Sequence, residues 1–201
     1  MEGESLIEHK FTGSVRPLTM TDVDALRQIL EHWIRNPEKT EPRLADIDKV
    51  QEVMRASVRG ENTREYRVAI ENDRIVGVMG FKIPDPSEPD DGQKMLEFAT
   101  TDNPVEFINA YVDTSRRLGK GVGKALFKAL EERAREKRFK EILVNSGPNF
   151  KDSGWAFWDG IMGPNPRPRN LPADQLVNAV GWATDMYGPG IDAPVWRKSI
   201  R

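Results

Sequence analysis

The stretch RRLGKGVGKALFKALEERAREKRFKEILV, residues 116–144, decides how the chain folds. It places glycines at positions 119, 121 and 123, directly before a long amphipathic helical pattern and a short apolar run. Glycines at the start of a helix let backbone N–H groups approach a bound group closely, and phosphate is a frequent ligand of such helix starts. The stretch therefore predicts a glycine loop, then a helix with one apolar face, then a buried strand.

The composition limits the classes of protein to which the chain belongs. Its 201 residues carry 30 basic and 32 acidic side chains, a balance that gives no general attraction to nucleic acid or anionic membranes. Without cysteine, disulfides, thiolate metal sites and a cysteine nucleophile are excluded. The N-terminus has no secretory pattern, and the longest apolar run, 75–81, is too short to span a bilayer. We predict a cytoplasmic protein without nucleic-acid, membrane or metal partners.

Hydrophobic periodicity predicts the order of elements around the glycine stretch. Apolar residues at helical spacing predict helices over 21–33, 44–54, 122–134, 154–162 and 171–183. Alternating or continuous apolar runs predict strands over 14–18, 66–70, 75–83, 105–113, 141–146 and 193–200.

Local turn and cap chemistry sets the boundaries between these elements. Residues 71–74, Glu-Asn-Asp-Arg, are a hairpin signature, and residues 21–24 have the form of a helix capping box. Residues 83–94 form a loop rich in proline and acid. With no repeat and no clear linker, we predict an N-terminal tail over 1–12 and a single mixed α/β domain over 13–201.

Three phosphate-binding arrangements can be compared with the glycine loop. A dinucleotide fingerprint requires a third glycine where Lys124 stands. A P-loop requires a glycine where Leu118 stands and a serine or threonine where Ala125 stands. The third arrangement agrees better, because residues 112–144 resemble the acyl-CoA-binding segment of the GNAT superfamily of N-acetyltransferases, with its motif Q/R-x-x-G-x-G/A before a helix.

Two frames align this motif with the chain. If Leu126 is the apolar helix residue three places after the last glycine, the motif glycines are Gly121 and Gly123, and Leu118 replaces the usual arginine or glutamine. The other frame, 116–121, matches the letters but displaces the helix by two residues. We prefer the first frame because core packing sets the register of a helix.

The resemblance extends to other segments. Residues 14–30 resemble the family's first strand and helix, residues 66–83 its second and third strands, and residues 153–163 its later motif A-x-x-F-Y-x-x-x-G-F, with Trp158 in place of the tyrosine. The resemblance implies a mostly antiparallel central sheet that is splayed at the cofactor site and flanked by helices.

The resemblance also implies acetyl-CoA as the cofactor and places it along the chain. The backbone of the strand before the loop would lie beside pantetheine and the thioester, where an N–H group polarises the acyl carbonyl. Asn145 would bond the pantetheine amide, although an ordinary turn asparagine is an equal alternative. The implied cofactor-binding residues are Ala110, Tyr111, Val112, Leu118, Gly119, Lys120, Gly121, Val122, Gly123, Lys124, Asn145 and Trp158.

Candidate catalytic residues follow from the same resemblance. Glu106, six residues before Val112, stands where several family members carry a glutamate base, and the alternative is an exposed edge charge. In an alternating strand Glu106 shares a face with Ile108 and Ala110. His32 lies on the first helix near the expected acceptor cleft, and a structural or exposed histidine is the more common case.

Trp158 stands where the family has a tyrosine, and that tyrosine donates a proton to the departing thiolate. An indole N–H releases no proton near neutrality, so three explanations remain: plain core, a thiolate that leaves unaided and is protonated by water, or binding without turnover. We favour the unaided thiolate. Two loops each have two possible roles. The acidic residues of 85–91 either attract the acceptor or form a solvated loop. The proline-rich segment 163–172 either borders the acceptor cleft or is a plain connector.

These residues together predict an acetyl-CoA-dependent N-acetyltransferase that acts on a primary amine of a small molecule or peptide, with a homodimer left open. The alternative is a GNAT-fold sensor or subunit that binds acyl-CoA without turnover. A nucleotide-dependent phosphotransferase is disfavoured, because no P-loop or carboxylate cluster accompanies the glycines.

Overall fold

The structure is a computed structural model that describes residues 10–87, 92–116, 121–163, 176 and 178–200. Within these residues the strands are Ser14–Pro17 (β1), Glu65–Glu71 (β2), Arg74–Lys82 (β3), Pro104–Val112 (β4), Glu141–Asn145 (β5), Ala179–Ala183 (β6) and Ala193–Ser199 (β7). The helices are Met20–Ala25 (α1), Arg27–Trp33 (α2), Leu44–Val58 (α3), Gly92–Leu96 (α4), Val122–Glu136 (α5) and Ala156–Met162 (α6). Shorter turns are the 3-10 turns Thr114–Arg116 and Pro148–Phe150 and the π-helical turn Lys151–Trp155.

The seven strands of the described chain form one mixed sheet in the order β1-β2-β3-β4-β5-β7-β6. Strands β4 and β5 are parallel, whereas β1–β2, β5–β7 and β6–β7 are antiparallel. The β4–β5 register runs from Pro104 opposite Glu141 to Glu106 opposite Leu143, and β5 continues two residues further, to Asn145. The predicted fold class, a mostly antiparallel sheet flanked by helices, is confirmed.

The described chain divides into two compact units, and β2, β3, β4 and α5 contribute residues to both. The first unit contains the described residues of 10–62, 66–79 and 110–129. The second contains those of 63–65, 80–109 and 130–200. The prediction of a single domain over 13–201 stays a prediction.

The first unit packs α1 and α2 on α3 through side chains that are fully buried. Leu26, Leu30, Ile47 and Met54 are each 0% exposed. The continuous helix predicted over 21–33 is wrong in detail: it is two helices joined at Leu26, whose N–H still bonds the carbonyl of Asp22 at 3.0 Å. The interruption preserves the apolar face, so the packing predicted from the spacing remains.

The start of α1 lies earlier than the capping box predicted at 21–24. Thr19 is the N-cap, and its backbone N–H and hydroxyl both donate to the Asp22 carboxylate, at 2.8 and 2.7 Å. Arg16 donates to the same carboxylate through both terminal guanidinium nitrogens. Thr19 and Thr21 are both acceptable N-cap residues, and the contact of Arg16 with Asp22 is consistent with Thr19 as the cap.

The predicted hairpin at 71–74 is confirmed. Asn72 and Asp73, between β2 and β3, have φ angles of 50° and 57°. A two-residue turn with both φ angles positive is the type I′ geometry, which Asn and Asp tolerate better than other side chains do.

The second unit corrects two predicted elements. The helix predicted over 171–183 is wrong for its last residues, because Ala179–Ala183 form β6, in which Ala179, Gly181 and Ala183 are buried; residues 171–175 and 177 lie outside the described residues. A Cβ at Gly181 would meet the ring of Phe98 at 2.7 Å, so pairing with β7 and close packing override the helical spacing. Within the loop predicted over 83–94, α4 forms and buries Met95 against Leu143 and Val195.

In the described part of the chain, every helix is too short or too polar to cross a bilayer.

Candidate functional site

Strand β4 carries the predicted base, Glu106, and an interruption of its regular pleat at Asn109. Asn109 has a φ of 52°, a left-handed conformation within the strand. A positive φ interrupts the two-residue alternation of side chains. The expectation that Ala110 shares the face of Glu106 and Ile108 is therefore wrong, because the alternation does not continue through Asn109.

Glu106 is a buried charge, not an exposed edge charge. It is 2% exposed, and Lys82 on β3, itself 3% exposed, places its ammonium 3.4 Å from Oε2. Oε1 accepts a hydrogen bond from Nδ2 of Asn145 at 2.9 Å. Buried ions are tolerated when they are paired and hydrogen-bonded, and both conditions hold here.

Asn145, the last residue of β5, bridges Glu106 to a tyrosine that the sequence did not single out. While Nδ2 donates to Glu106, Oδ1 accepts the hydroxyl hydrogen of Tyr187 at 2.5 Å. Nδ2 also lies 3.4 Å from the sulfur of Met95. Asn145 is thereby fixed in one orientation, and its carbonyl oxygen retains one further lone pair for a ligand.

The loop between β6 and β7 holds Tyr187 in place. The carboxylate of Asp185 accepts the N–H of Gly190, and the carboxylate of Asp192 accepts the N–H of Asp185 at 2.9 Å. The N–H of Tyr187 itself donates to the carbonyl of Ile191 at 3.2 Å. These bonds lie within the loop and fix its backbone, which positions the phenol of Tyr187.

Trp158 is part of the core of the second unit. It is 5% exposed on α6, and its ring meets that of Phe157 edge-on with centroids 4.8 Å apart. The neighbouring Trp155 donates its indole N–H to the carbonyl of Ser146 at 3.0 Å and packs edge-on against Trp182. The contacts around Trp158 are those of a packed aromatic side chain.

In the first unit, the start of α5 is the part of the glycine loop that the structure describes. Gly121 has a φ of 87° and is exposed, and the N–H of Ala125 bonds its carbonyl at 2.9 Å. The N–H groups of Val122, Gly123 and Lys124 precede the first intrahelical bond, so they point outward without helical partners, as at any helix start.

The packing of α5 fixes where these N–H groups point. Val122 and Leu126 are 1% and 0% exposed, and a Cβ on Gly77 of β3 would meet each at 3.1 Å and the carbonyl oxygen of Tyr111 at 3.2 Å. Because position 77 has no side chain, the first turn of α5 lies directly on the sheet. Burial of Leu126 agrees with the register that favours Gly121 and Gly123 as the motif glycines.

The end of β4 is held by two further bonds of the first unit. The indole N–H of Trp33 donates to the carbonyl of Val112 at 2.7 Å, and the N–H of Asp113 donates to the carbonyl of Val76 at 2.9 Å. Ala110, Tyr111 and Val112 are all partly exposed. The three residues therefore offer backbone at a strand end whose position is fixed from both sides.

A groove of about 860 Å³ lies beside this strand end, within the first unit. His32 and Trp33 line it from α2, Asp73 from the hairpin turn and Asp113 from the end of β4. His32 is exposed, and its ring meets Trp33 edge-on. The groove also contains the Arg16–Asp22 pair, in which the Arg16 hydrogen bond lowers the pKa of the Asp22 carboxyl to about 2.

Several predicted residues lie outside the described residues. They are Leu118, Gly119 and Lys120 of the loop, residues 88–91 of the acidic segment and residues 164–172 of the proline-rich segment.

Sequence reasoning missed Lys82 and Tyr187. Lys82 had a usable signal, since it is the one charge in the apolar run 75–83 and strand interiors rarely bury a lysine without a partner. Tyr187 stands in the sequence DMYGPGID, residues 185–192, where the turn residues give no signal for a side chain that bonds Asn145.

Comparison with known proteins gives the same fold. An acetyltransferase of the GNAT family from Desulfovibrio desulfuricans superposes with a TM-score of 0.67 at 15% identity, covering 94% of this chain and 100% of that one. The PaiA N-acetyltransferase from Thermoplasma acidophilum, in complex with coenzyme A, gives 0.57 at 13% identity over 94% and 99%. The ribosomal-protein-alanine N-acetyltransferase from Brucella melitensis gives 0.59 at 18% identity over 92% and 99%.

Similarity in sequence alone is more limited. No curated protein matches the chain in sequence. The model of the acetyltransferase (GNAT) family matches residues 24–158, from α1 through β4, α5 and β5 into α6. Because this match spans well over half of the 201 residues, the chain belongs to the GNAT family and is an N-acetyltransferase.

Proposed function

We propose that the protein moves an acetyl group from acetyl-CoA to a primary amine of a small molecule or peptide. The observation that carries the proposal is the start of α5, where Gly121 at positive φ precedes three outward N–H groups. A helix start of this kind favours phosphate through both its free N–H groups and its dipole. Action in the cytoplasm and assembly as a homodimer remain predictions from the sequence.

The residues present fit acetyl-CoA on chemical grounds. Among the described residues, the nearest atom to the position that a Cβ of Gly121 would occupy is the Cβ of Phe11, at 3.8 Å, chain neighbours aside. We assign the pyrophosphate to the backbone from Gly119 to Lys124, and pantetheine to the backbone of Ala110, Tyr111 and Val112. Asn145 offers its remaining lone pair to a pantetheine N–H.

Acetyl-CoA supplies a thioester carbonyl that an amine can attack. The chain's part is to orient the acyl group with strand backbone, to stabilise negative charge on its oxygen and to accept the amine's proton. We assign the proton to Glu106. Because its side chain is 2% exposed, the proton reaches Glu106 through an intervening water and not by direct contact with the amine.

The experiment that tests the proposal is a pair of glycine substitutions. Gly121→Asp places a side chain and a negative charge where the pyrophosphate approaches, so we expect CoA affinity by calorimetry to fall at least 100-fold. Gly60→Asp is the matched control: Gly60, after α3, also has a positive φ, 75°, and no described atom lies within 4 Å of the position that its Cβ would occupy. Both variants carry the same backbone strain of about 1 kcal/mol.

We expect Gly60→Asp to bind CoA as the unchanged protein does. Equal affinities in a folded Gly121→Asp and in Gly60→Asp would place the phosphate site elsewhere. Equal losses in the two variants would show that backbone strain, and not the site, governs binding.

A second candidate function is a GNAT-fold subunit or sensor that binds acyl-CoA without turnover. The observation that favours it is Trp158, a packed indole at a position where the family's motif has a tyrosine. Release of free thiol from acetyl-CoA, screened over amines and peptides, separates the two candidates. Acceptor-dependent release identifies an enzyme, whereas tight CoA binding with no release from any acceptor class identifies a sensor.

A further inference from the structure

Residues 10–13, which precede β1 and are called here the N-terminal strap, lie against the start of α5 within the first unit. The Cβ and the backbone nitrogen of Phe11 are 3.8 and 4.0 Å from the position that a Cβ of Gly121 would occupy. Gly121 is the first described residue of the proposed phosphate site. A segment that is distant in sequence therefore borders that site.

Gly13 allows the strap to follow this course. A Cβ at position 13 would overlap the carbonyl oxygen of Ile70, on β2, and would lie 2.7 Å from Cε2 of Phe11. Glycine is required here for close approach of the backbone, since any side chain would push the strap away from β2. The ring of Phe11 packs on Gly13, and its backbone nitrogen is the polar atom beside Gly121.

The strap is bonded more weakly than the strand that follows it. The N–H of Thr12 donates to Oε1 of Glu71 at 3.3 Å, longer than the usual limit of about 3.2 Å for such a bond. From Ser14 onward, β1 pairs with β2, with Ser14 opposite Ile70. Gly13 lies between these two regions, so a change of its backbone angles moves the strap and leaves the sheet intact.

The charges near the start of α5 favour an anion. A helix start usually carries acidic side chains, because these complement the positive end of its dipole. The first turn of α5 has no acidic residue and carries the exposed Lys124. Lys10, also exposed, directly precedes Phe11 in the strap. Cations beside the positive end of a helix are unfavourable neighbours, and a bound phosphate would remove the conflict.

We propose that the N-terminal strap closes on the phosphate groups of the bound cofactor, with the N–H of Phe11 and the ammonium of Lys10 as its contacts. This inference rests on the proposed use of acetyl-CoA at the start of α5. The strap opens at Gly13 to admit the phosphates and then covers them. A closed strap slows the departure of the cofactor and changes its entry little, so the strap sets the residence time of CoA.

The first test follows the strap by spin labelling. Because the chain has no cysteine, one introduced cysteine gives one labelled position. Thr12→Cys places the label on the strap, and Ser14→Cys is the matched control: both native residues are small, hydroxylated and exposed, but Ser14 already belongs to β1. We expect CoA to lower the mobility of the label at position 12 and to leave the label at position 14 unchanged.

Calorimetry on the same samples separates the inference from the proposed function. If CoA binds and the label at position 12 keeps its mobility or becomes more mobile, closure of the strap is overturned and the proposed function stands. If CoA binds neither to the labelled proteins nor to the unchanged protein, both proposals are overturned together.

The second test measures the rate at which CoA dissociates. Gly13→Ala displaces the strap without touching α5, so we expect the dissociation rate to rise about 10-fold and the association rate to stay within about twofold. Gly160→Ala is the matched control, since no described atom lies within 4 Å of the position that its Cβ would occupy. We expect it to release CoA as the unchanged protein does.

A charge substitution keeps this test decisive if Gly13→Ala does not fold. Lys10→Gln is expected to raise the dissociation rate about threefold at low salt, and the difference should shrink at high salt. Lys49→Gln, at an exposed position of α3, is the control for a general effect of charge. Dissociation from Lys10→Gln at the unchanged rate, or an equal rise in Lys49→Gln, would contradict the proposal.

Discussion

A single buried ion pair illustrates how chemistry and stability are coupled at the scale of the residue. Lys82 and Glu106 are both almost fully buried, and each depends on the other for its charge to be tolerated. Removing one partner of such a pair leaves an uncompensated charge in the interior. Loss of activity after mutation of Glu106 alone is therefore ambiguous between a lost base and a damaged fold.

A double substitution resolves this ambiguity. Glu106→Gln is expected to lower the free energy of unfolding by about 3 kcal/mol, because the Lys82 ammonium loses its partner, and to lower kcat at least 100-fold. Adding Lys82→Met removes the stranded charge and is expected to restore most of the stability but none of the turnover. Urea unfolding and initial rates measure the two effects. If turnover returns together with stability, Glu106 serves only as the partner of Lys82.

The first helix shows, at the scale of the element, how one carboxylate can fix where an element begins. Asp22 accepts bonds from Arg16 and from the Thr19 hydroxyl and backbone N–H, and these bonds lower its pKa to about 2, below the ordinary value near 4. A carboxyl whose pKa is lowered in the folded state adds stability that is fully present above pH 4 and is lost as the pH falls toward 2.

A pH series on a charge-neutral substitution measures this contribution. Asp22→Asn is expected to lower the free energy of unfolding by about 1–2 kcal/mol at pH 7, and the difference from the unchanged protein should shrink as the pH approaches 2. Asp24→Asn is the control, since the Asp24 side chain is 77% exposed in its pair with Arg55 and such pairs contribute little. A deficit for Asp22→Asn that does not change with pH would assign the effect to shape and not to charge.

Elements that depend on neighbouring residues could be predicted from the sequence, and elements that depend on contacts between distant residues could not. The hairpin at Asn72 and Asp73 follows from turn chemistry within four residues, and α5 follows from its own apolar stripe. Strand β6 follows from pairing with β7 and from the contact of Gly181 with Phe98, neither of which leaves a local pattern.

The same distinction applies to the candidate site. The glycine loop and α5 are contiguous, so the family motif is visible in one stretch of sequence. The bond from Tyr187 to Asn145 spans 42 residues, and the Asn145–Glu106 bond spans 39. Such contacts depend on the order of strands in the sheet, so neither composition nor periodicity reveals them.

At the scale of the whole molecule, the question is whether two compact units unfold as one. Strands β2, β3 and β4 and helix α5 contribute residues to both, so neither unit can lose these elements alone. Four of the five tryptophans, Trp155, Trp158, Trp182 and Trp196, lie in the second unit. Helices α1, α2 and α3 all lie in the first.

Two probes of urea unfolding therefore sample different units. Tryptophan fluorescence reports mainly the second unit, and far-UV circular dichroism is weighted toward the helices of the first. We expect one transition with coincident midpoints for both probes, because the shared elements couple the units. CoA at about 100 times its Kd is expected to add about 2.7 kcal/mol to the stability seen by each probe. Separate midpoints, or stabilisation of one probe alone, would show that the chain is two folding units and that CoA binds to only one of them.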